Sequence, residues 1–381
     1  MEREHLDRHM LEIQSPQEKE IEAGDTTYHL FCSNSYLDLC NHPRVKKAFL
    51  RAGERYGAGS GGSRLTTGTT ALHNMLEADI ARFKKRESAL VFNTGYMANV
   101  GILQAMAGKG DVIFSDEKNH ASIIDGCHLS RAKTVVYRHN DMVDLEEKVK
   151  DAMKFTGFRG RGIIVSDGVF SMDGDIVNLP ELIRIADTYG LFSMIDEAHA
   201  TGVIGKTGRG TEEYYGMEGS VDILMGTLSK SIGSEGGYAA GSRLLRDYLL
   251  NHARSFIFST SLPASLMVAA SESIRILEED TGLVGALQEN IRYANEAFRD
   301  FDLDVHSDTA IFPVVIGDEE EAVRVMEAVK DQGYYVGAIR YPAVAKGTAR
   351  LRVTLMASHT KEEIRGLAEA ILRAMDDAGL R

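Results

Sequence analysis

Between about residue 70 and residue 245, short apolar runs alternate with stretches whose apolar positions recur every three or four residues. Leu72, Leu76, Ile80 and Phe83 fall on one face at that spacing, which predicts a helix from Leu72 through Phe83. Ala89–Phe92, Asp111–Phe114, Thr134–Tyr137, Gly162–Val165, Phe192–Ile195 and Asp222–Met225 are apolar over most of their length, as strands buried on both faces should be. This alternation is the order expected of βαβ units around a mostly parallel sheet. After about residue 270 the texture changes to long charged helices, Glu289–Phe301 and Glu319–Gln332, with strands at Ala310–Phe312 and Leu351–Leu355. The expected organisation is an N-terminal segment over 1–34 that packs with a small α+β domain over 271–381, and a large domain over 35–270.

Length and charge narrow the function classes. At 381 residues the chain exceeds the ~250–300 residues of a single core, which agrees with two domains. A net charge of −13 argues against nucleic acid and against anionic membrane surfaces as partners. Cys32, Cys40 and Cys127 are odd in number and lack CxxC spacing, so they read as reduced thiols rather than a disulfide framework or a metal site. No apolar run reaches ~18 residues, and the opening Met1-Glu-Arg-Glu-His-Leu-Asp is too charged for a signal peptide. The expected location is the cytoplasm.

Candidate chemistry sits where the apolar runs end. Asp196 closes one and Lys230 follows the next, and if both runs are parallel strands the two converge at the carboxyl edge where ligands collect. Pyridoxal 5'-phosphate uses such a pair: an amine for its aldehyde and an anion against its ring nitrogen. Two plainer readings stand beside this one, an N-cap at Asp196 for a helix opening at Glu197 and a solvated lysine at position 230. After Phe92 the loop Asn93-Thr-Gly95-Tyr96 opens a helix, so Gly95 allows close backbone approach and the helix offers free N–H groups to a phosphate. Thr227 and Ser229 add hydroxyls in the lysine loop. His120 follows the strand at Asp111–Phe114 and can either stack on a ring or cap a helix, while His199, three residues after Asp196, can share a helical face with it. In Ala349–Leu355, Arg350, Arg352 and Thr354 share one strand face, where a guanidinium can clamp a carboxylate or simply meet solvent.

Several longer segments carry a resemblance. Asn34–Leu39, Gly57–Ser63, Asp116–Ser122, Asp167–Gly174, Asp196–Val203, Gly208–Gly210, Gly226–Lys230 and Phe258–Pro263, in this order, resemble the α-oxoamine synthase family. Its members are pyridoxal-phosphate enzymes of fold type I, aspartate-aminotransferase-like, which join an amino acid to an acyl-CoA with loss of carbon dioxide. The likeness runs from about Asn34 to His359. It implies a large domain with a mostly parallel seven-stranded sheet, a smaller α+β domain, and a homodimer with active sites at the subunit interface. Gly59–Gly68, Asp196–Gly205 and Glu235–Gly237 resemble most the branch that takes L-alanine and a pimeloyl thioester, on CoA or on acyl-carrier protein, in biotin synthesis. The branch that takes glycine and acetyl-CoA is the alternative. The segment before Asn34 is short for the family, which leaves the acyl donor more open than the reaction.

The resemblance also implies roles. Lys230 takes the cofactor's aldehyde and serves as the base, Asp196 pairs the ring nitrogen, His199 bonds the phenolic oxygen and His120 stacks on the ring. Ser171 touches the cofactor or substrate side. Gly95, Tyr96 and Thr227 make phosphate or ring contacts, and Thr260 reaches a neighbouring subunit's phosphate. Arg352, helped by Asn34, holds the amino-acid carboxylate. No metal is expected. Arg64 and Arg209 are scattered basic candidates for CoA phosphates. Gly57–Gly62 superficially resembles a dinucleotide loop, but it follows no convincing strand and lacks a Gly-Lys-Ser/Thr ending, so it reads as a substrate-side turn.

Overall fold

A computed structural model of the chain describes residues 10–154 and 160–380. The opening heptapeptide, read above against a signal peptide, lies outside the described residues.

Two compact units divide the chain. The larger comprises His42–Phe170 and Ile176–Thr281; the smaller comprises the described residues up to Asn41, Ser171–Asp175, and those from Gly282 on. The boundaries expected at 34 and 270 therefore fall at 41 and 281. The second moves because the helix Ala264–Glu279 packs its buried face, with Met267, Ala270, Ile274 and Leu277, on the helices Pro43–Tyr56 and Ala71–Phe83 of the larger unit.

The larger unit is built on a seven-stranded sheet. From one edge the order is Ser88–Phe92, Gly237–Gly241, Ile223–Thr227, Phe192–Asp196, Gly162–Asp167, Val112–Asp116 and Lys133–Tyr137. Only Gly237–Gly241 runs antiparallel to its neighbours. The other six strands therefore end at one edge, as the expectation of a mostly parallel sheet requires. Their interiors are buried because helices cover the sheet: Leu90, Ile113, Ile163, Val165, Met194 and Ile223 join Ile102, Leu103 and Ile123 of the helices in one core. Several strands run past their apolar stretch by one or two residues. The added positions include Asp116, Asp167, Asp196 and Thr227, all buried, so polar side chains are delivered at the ligand-facing edge.

The smaller unit holds two three-stranded sheets. In one, the hairpin Glu20–Ala23/Thr26–Leu30 takes Tyr334–Tyr335 as a parallel third strand. In the other, Ala349–Thr354 lies between Ile311–Gly317 and Gly337–Ile339, antiparallel to both. Helices Gly282–Asp300, Glu319–Asp331 and Lys361–Asp377 complete the unit.

A buried histidine fixes part of that unit. His359 stacks on Phe31 at 4.0 Å between centroids; its Nδ1 accepts from the Met356 N–H at 3.0 Å and its Nε2 faces the Leu30 carbonyl at 3.0 Å. This pattern requires the neutral ring. Burial lowers its pKa from 6.5 to about 4, against the raising effect of the Leu30 carbonyl. The folded state thus binds fewer protons than the unfolded state between those values, so stability rises with pH there and is lost as pH falls. The shift corresponds to about 3 kcal/mol below both values. Urea unfolding between about pH 7 and about pH 4 should show this loss in the native chain. In His359→Gln the acid-side slope should be shallower; an unchanged slope would remove His359 as its source.

Candidate active site

At the carboxyl edge of the large sheet, five strand ends and their loops line a cavity of about 220 Å³, among others with Gly95, Tyr96, His120, Asp167, Asp196, His199, Thr227 and Lys230. With Ser229, eight of the positions singled out in the sequence share this lining. Drug-sized ligands bind in pockets of ~300–1,000 Å³. This smaller space is on the scale of a small ring with a phosphate.

Asp196 ends its strand with only 4% of its surface exposed. Asn99 donates to its Oδ2 at 2.7 Å and the Ala198 N–H to its Oδ1 at 2.9 Å, so both oxygens are oriented by donors. No helix opens at Glu197. The chain passes through successive turns, so His199 is not related to Asp196 by a helical face. The turns are pinned from below: Glu197 accepts the Thr211 N–H with both oxygens at 3.1 Å and meets Lys84 at 3.2 Å, while Lys84 also donates to Thr201 and to the Arg209 carbonyl. Lys84 and Glu197 are both almost fully enclosed. The buried ion pair holds the turn in the shape that points His199 at Lys230, with Nε2 and Nζ 2.8 Å apart.

His120 is the N-cap of the helix Ala121–Ser130, its Nδ1 taking the Ser122 N–H at 3.2 Å and lying 2.7 Å from the Ser122 hydroxyl. It is thus both a capping residue and a cavity wall. Although its surface is open to solvent, the enclosing groups desolvate the ring and lower its pKa; Asp196 opposes that effect and Lys230 adds to it.

The phosphate-side candidates converge from two loops. Thr94 caps the helix Gly95–Met106 by accepting from the Met97 N–H at 3.0 Å, and the first-turn N–H groups of a helix have no partner within it. A Cβ on Gly95 would come within 3.3 Å of Thr227 and Met225, so glycine is what lets the loops meet. Thr227 Oγ lies 2.8 Å from the Ser229 hydroxyl. Tyr96 is half exposed, its hydroxyl bonded to Asp125, which raises its pKa.

Thr260 does not line the cavity. It is exposed and bridged to Ser63, and its carbonyl accepts from Asn93 at 2.5 Å. The glycine-rich run before it follows the helix Pro43–Tyr56, not a strand, and is tied to the same loop by Ser60 Oγ to the Ser261 carbonyl at 2.6 Å. It is no dinucleotide loop. Arg64 and Arg209 are committed elsewhere: Arg64 is buried on Glu77 at 2.8 Å, and Arg209 donates to the Phe83 carbonyl at 2.8 Å.

Asn34, Ser171 and Arg352 belong to the smaller unit and form a cluster of their own. Arg352 is buried, with Nε donating to the Ser171 carbonyl at 2.5 Å and its two terminal nitrogens 3.3 and 3.2 Å from Asn34 Oδ1. This excludes the solvent-facing alternative. Arg350, on the same strand, is taken by Asp173 at 2.5 Å. Two contributors were not assigned from sequence, Asn99 and Asp167; Asp167 opens a run already singled out and meets Asp196 through strand pairing, while Asn99 reaches Asp196 from the helix Gly95–Met106.

The donor set fits pyridoxal phosphate. It combines one lysine amine, one buried carboxylate with a donor on each oxygen and a helix N-terminus for an anion. A fold type I core with this constellation defines the aminotransferase class I and II family, whose pattern the chain matches over residues 26–371, and the chain belongs to that family. Among individual relatives, an 8-amino-7-oxononanoate synthase of Lysinibacillus sphaericus is 43% identical over 385 residues, spanning 100% of this chain and 97% of the relative. One of Geobacter sulfurreducens is 44% identical over 381 residues, 98% and 96% of the two chains. Among solved structures, a serine palmitoyltransferase of Sphingomonas wittichii superposes with a TM-score of 0.93 at 32% identity, over 98% of this chain and 94% of the other. An 8-amino-7-oxononanoate synthase from Francisella tularensis gives 0.78 at 29% identity, over 92% and 98%.

Proposed function

We propose that this chain is a pyridoxal-phosphate-dependent acyltransferase that condenses L-alanine with a pimeloyl thioester, carried by CoA or an acyl-carrier protein. The products are 8-amino-7-oxononanoate, carbon dioxide and the free carrier, on the route to biotin. The observation that carries this reading is identity of 43–44% to synthases of that name along essentially the whole of both chains.

When bound, the cofactor supplies a protonated ring that accepts the electron pair left first by the α-proton and later by carbon dioxide. The remaining steps fall to the chain's own residues. Asp196, oriented by Asn99 and Ala198, holds the ring-nitrogen proton. Lys230 provides the amine that carries the cofactor and, once displaced by alanine, removes the α-proton; a positioned base contributes ~10²–10⁴-fold. His199, whose Nε2 lies 2.8 Å from the lysine amine, would bond the phenolic oxygen. His120, on the cavity wall, would stack on the ring and assist the thioester carbonyl. Gly95, Tyr96 and Thr227 receive the phosphate, with help from Thr260 of a neighbouring subunit. Exposed Leu65 and Phe258, at 50% and 73%, flank the bridged Ser63 and Thr260 and supply apolar surface for the second copy of a homodimer. Among the described residues no helix is long and apolar enough to cross a membrane, and the proposed location is the cytoplasm.

Arg352, oriented by Asn34 and Ser171, is the proposed carboxylate clamp. A charge-assisted hydrogen-bonded pair contributes ~1.5–3 kcal/mol, so Arg352→Ala should raise the KM for alanine by roughly 10–100-fold and leave kcat much less changed. An unchanged KM would return Arg352 to a structural part.

The reading as a whole is tested by steady-state assays of alanine, glycine and serine, each against pimeloyl-, acetyl- and palmitoyl-CoA. The highest kcat/KM is expected for alanine with the pimeloyl donor. Preference for glycine with acetyl-CoA would reassign the chain to that branch.

A further inference from the structure

Asp167, a cavity residue with no part in the steps above, sits beside Asp196. The two end adjacent parallel strands in register with each other, which sets both side chains on the same side of the sheet. Asp167 is 3% exposed and lines the same cavity. Its Oδ2 is enclosed without a hydrogen-bond partner. The two carboxyls are treated unequally: Asp196 has the Asn99 amide and the Ala198 N–H, one on each oxygen, whereas Asp167 has the main-chain N–H of His120 and, among the described residues, no donor on Oδ2. Two carboxylates side by side in a buried site do not both ionise. The donors decide which one does.

We propose that Asp167 and Asp196 form a carboxyl pair with a single negative charge, the proton residing on Asp167, so that Asp167 is a positioning residue that keeps the charge on Asp196. This deepens, and rests on, the reading of Asp196 as the partner of the cofactor ring nitrogen. An ionised Asp167 would place a second anion against Asp196 and disfavour the charge that the ring needs. The titratable and charged groups facing Asp167 are Asp196 on one neighbouring strand, Asp116 with its partner His139 on the other side, His120 at the helix start, and Lys230. Burial first, then Asp196 and Asp116, drive its pKa well above the ordinary range, against the pull of Lys230.

The test is a carboxyl titration of the full-length chain carrying ¹³C-labelled aspartate, with and without pyridoxal phosphate. The Asp167 signal is assigned by its loss in Asp167→Asn or, if that variant does not fold, in Asp167→Glu. The expected result is a protonated Asp167 at neutral pH, with a midpoint that moves to lower pH in Asp196→Asn. An ionised Asp167 at neutral pH, or a midpoint indifferent to Asp196→Asn, overturns the proposal. Because the measurement without cofactor requires neither turnover nor binding, failure of the functional reading would show instead as absent cofactor binding or an inactive substrate matrix, with the titration unchanged.

Discussion

Lys230→Ala should abolish turnover, with a loss of at least ~10³-fold, because one substitution removes both the covalent attachment point and a base that alone accounts for ~10²–10⁴-fold. The cofactor should remain in the cavity, since the helix N-terminus at Gly95 and the Asp196 carboxylate are untouched, but it should be released on denaturation. Borohydride reduction of the native enzyme followed by peptide mapping should mark Lys230. Label on any other side chain, or normal turnover in the variant, would refute the assignment. His199 adds a second readout: with its Nε2 2.8 Å from the lysine amine, its Asn variant should shift the pH dependence of reduction.

Asp196→Asn is expected to be nearly as damaging by a different route. A carboxylate near a cationic ring typically raises the ring's proton affinity by ~1–3 pKa units, so its loss should slow α-proton removal by roughly 10–10³-fold while the cofactor still binds. Exchange of the alanine α-proton with deuterium, measured without acyl donor, isolates that step. Wild-type exchange in the variant would mean that the ring does not depend on this anion.

The elements legible in the sequence were those whose burial writes a pattern. The strands beneath Phe92, Asp116, Asp167, Asp196 and Thr227 are apolar because helices cover both faces, and the helix through Leu76 and Ile80 repeats at its own period. The strand Gly237–Gly241 was missed because Gly-Tyr-Ala-Ala-Gly has no β-branched residue and no alternation; a Cβ on Gly237 would come 2.7 Å from Gly95 N, so close packing selects small residues there. The hairpin at Glu20–Leu30 was missed because only one of its faces is covered, and acidic and hydroxyl residues dilute the signal. The helix considered after Asp196 fails for a tertiary reason, since Glu197 is spent on Lys84 and Thr211. Within the site, the loops that follow strands were readable. The Asn99 amide that orients Asp196 was not, because only the packing of its helix on the sheet brings it to a strand end 97 residues further on.

The cavity around Lys230 is small beside a substrate with a long tail, and it opens to solvent on one side. A space of about 220 Å³ holds the reacting groups, and an extended hydrocarbon has to leave it through its open side, so side chains beyond this lining can contribute to discrimination by tail length. Selectivity for one donor over another is therefore open to redesign at the periphery, without disturbing the residues that move protons.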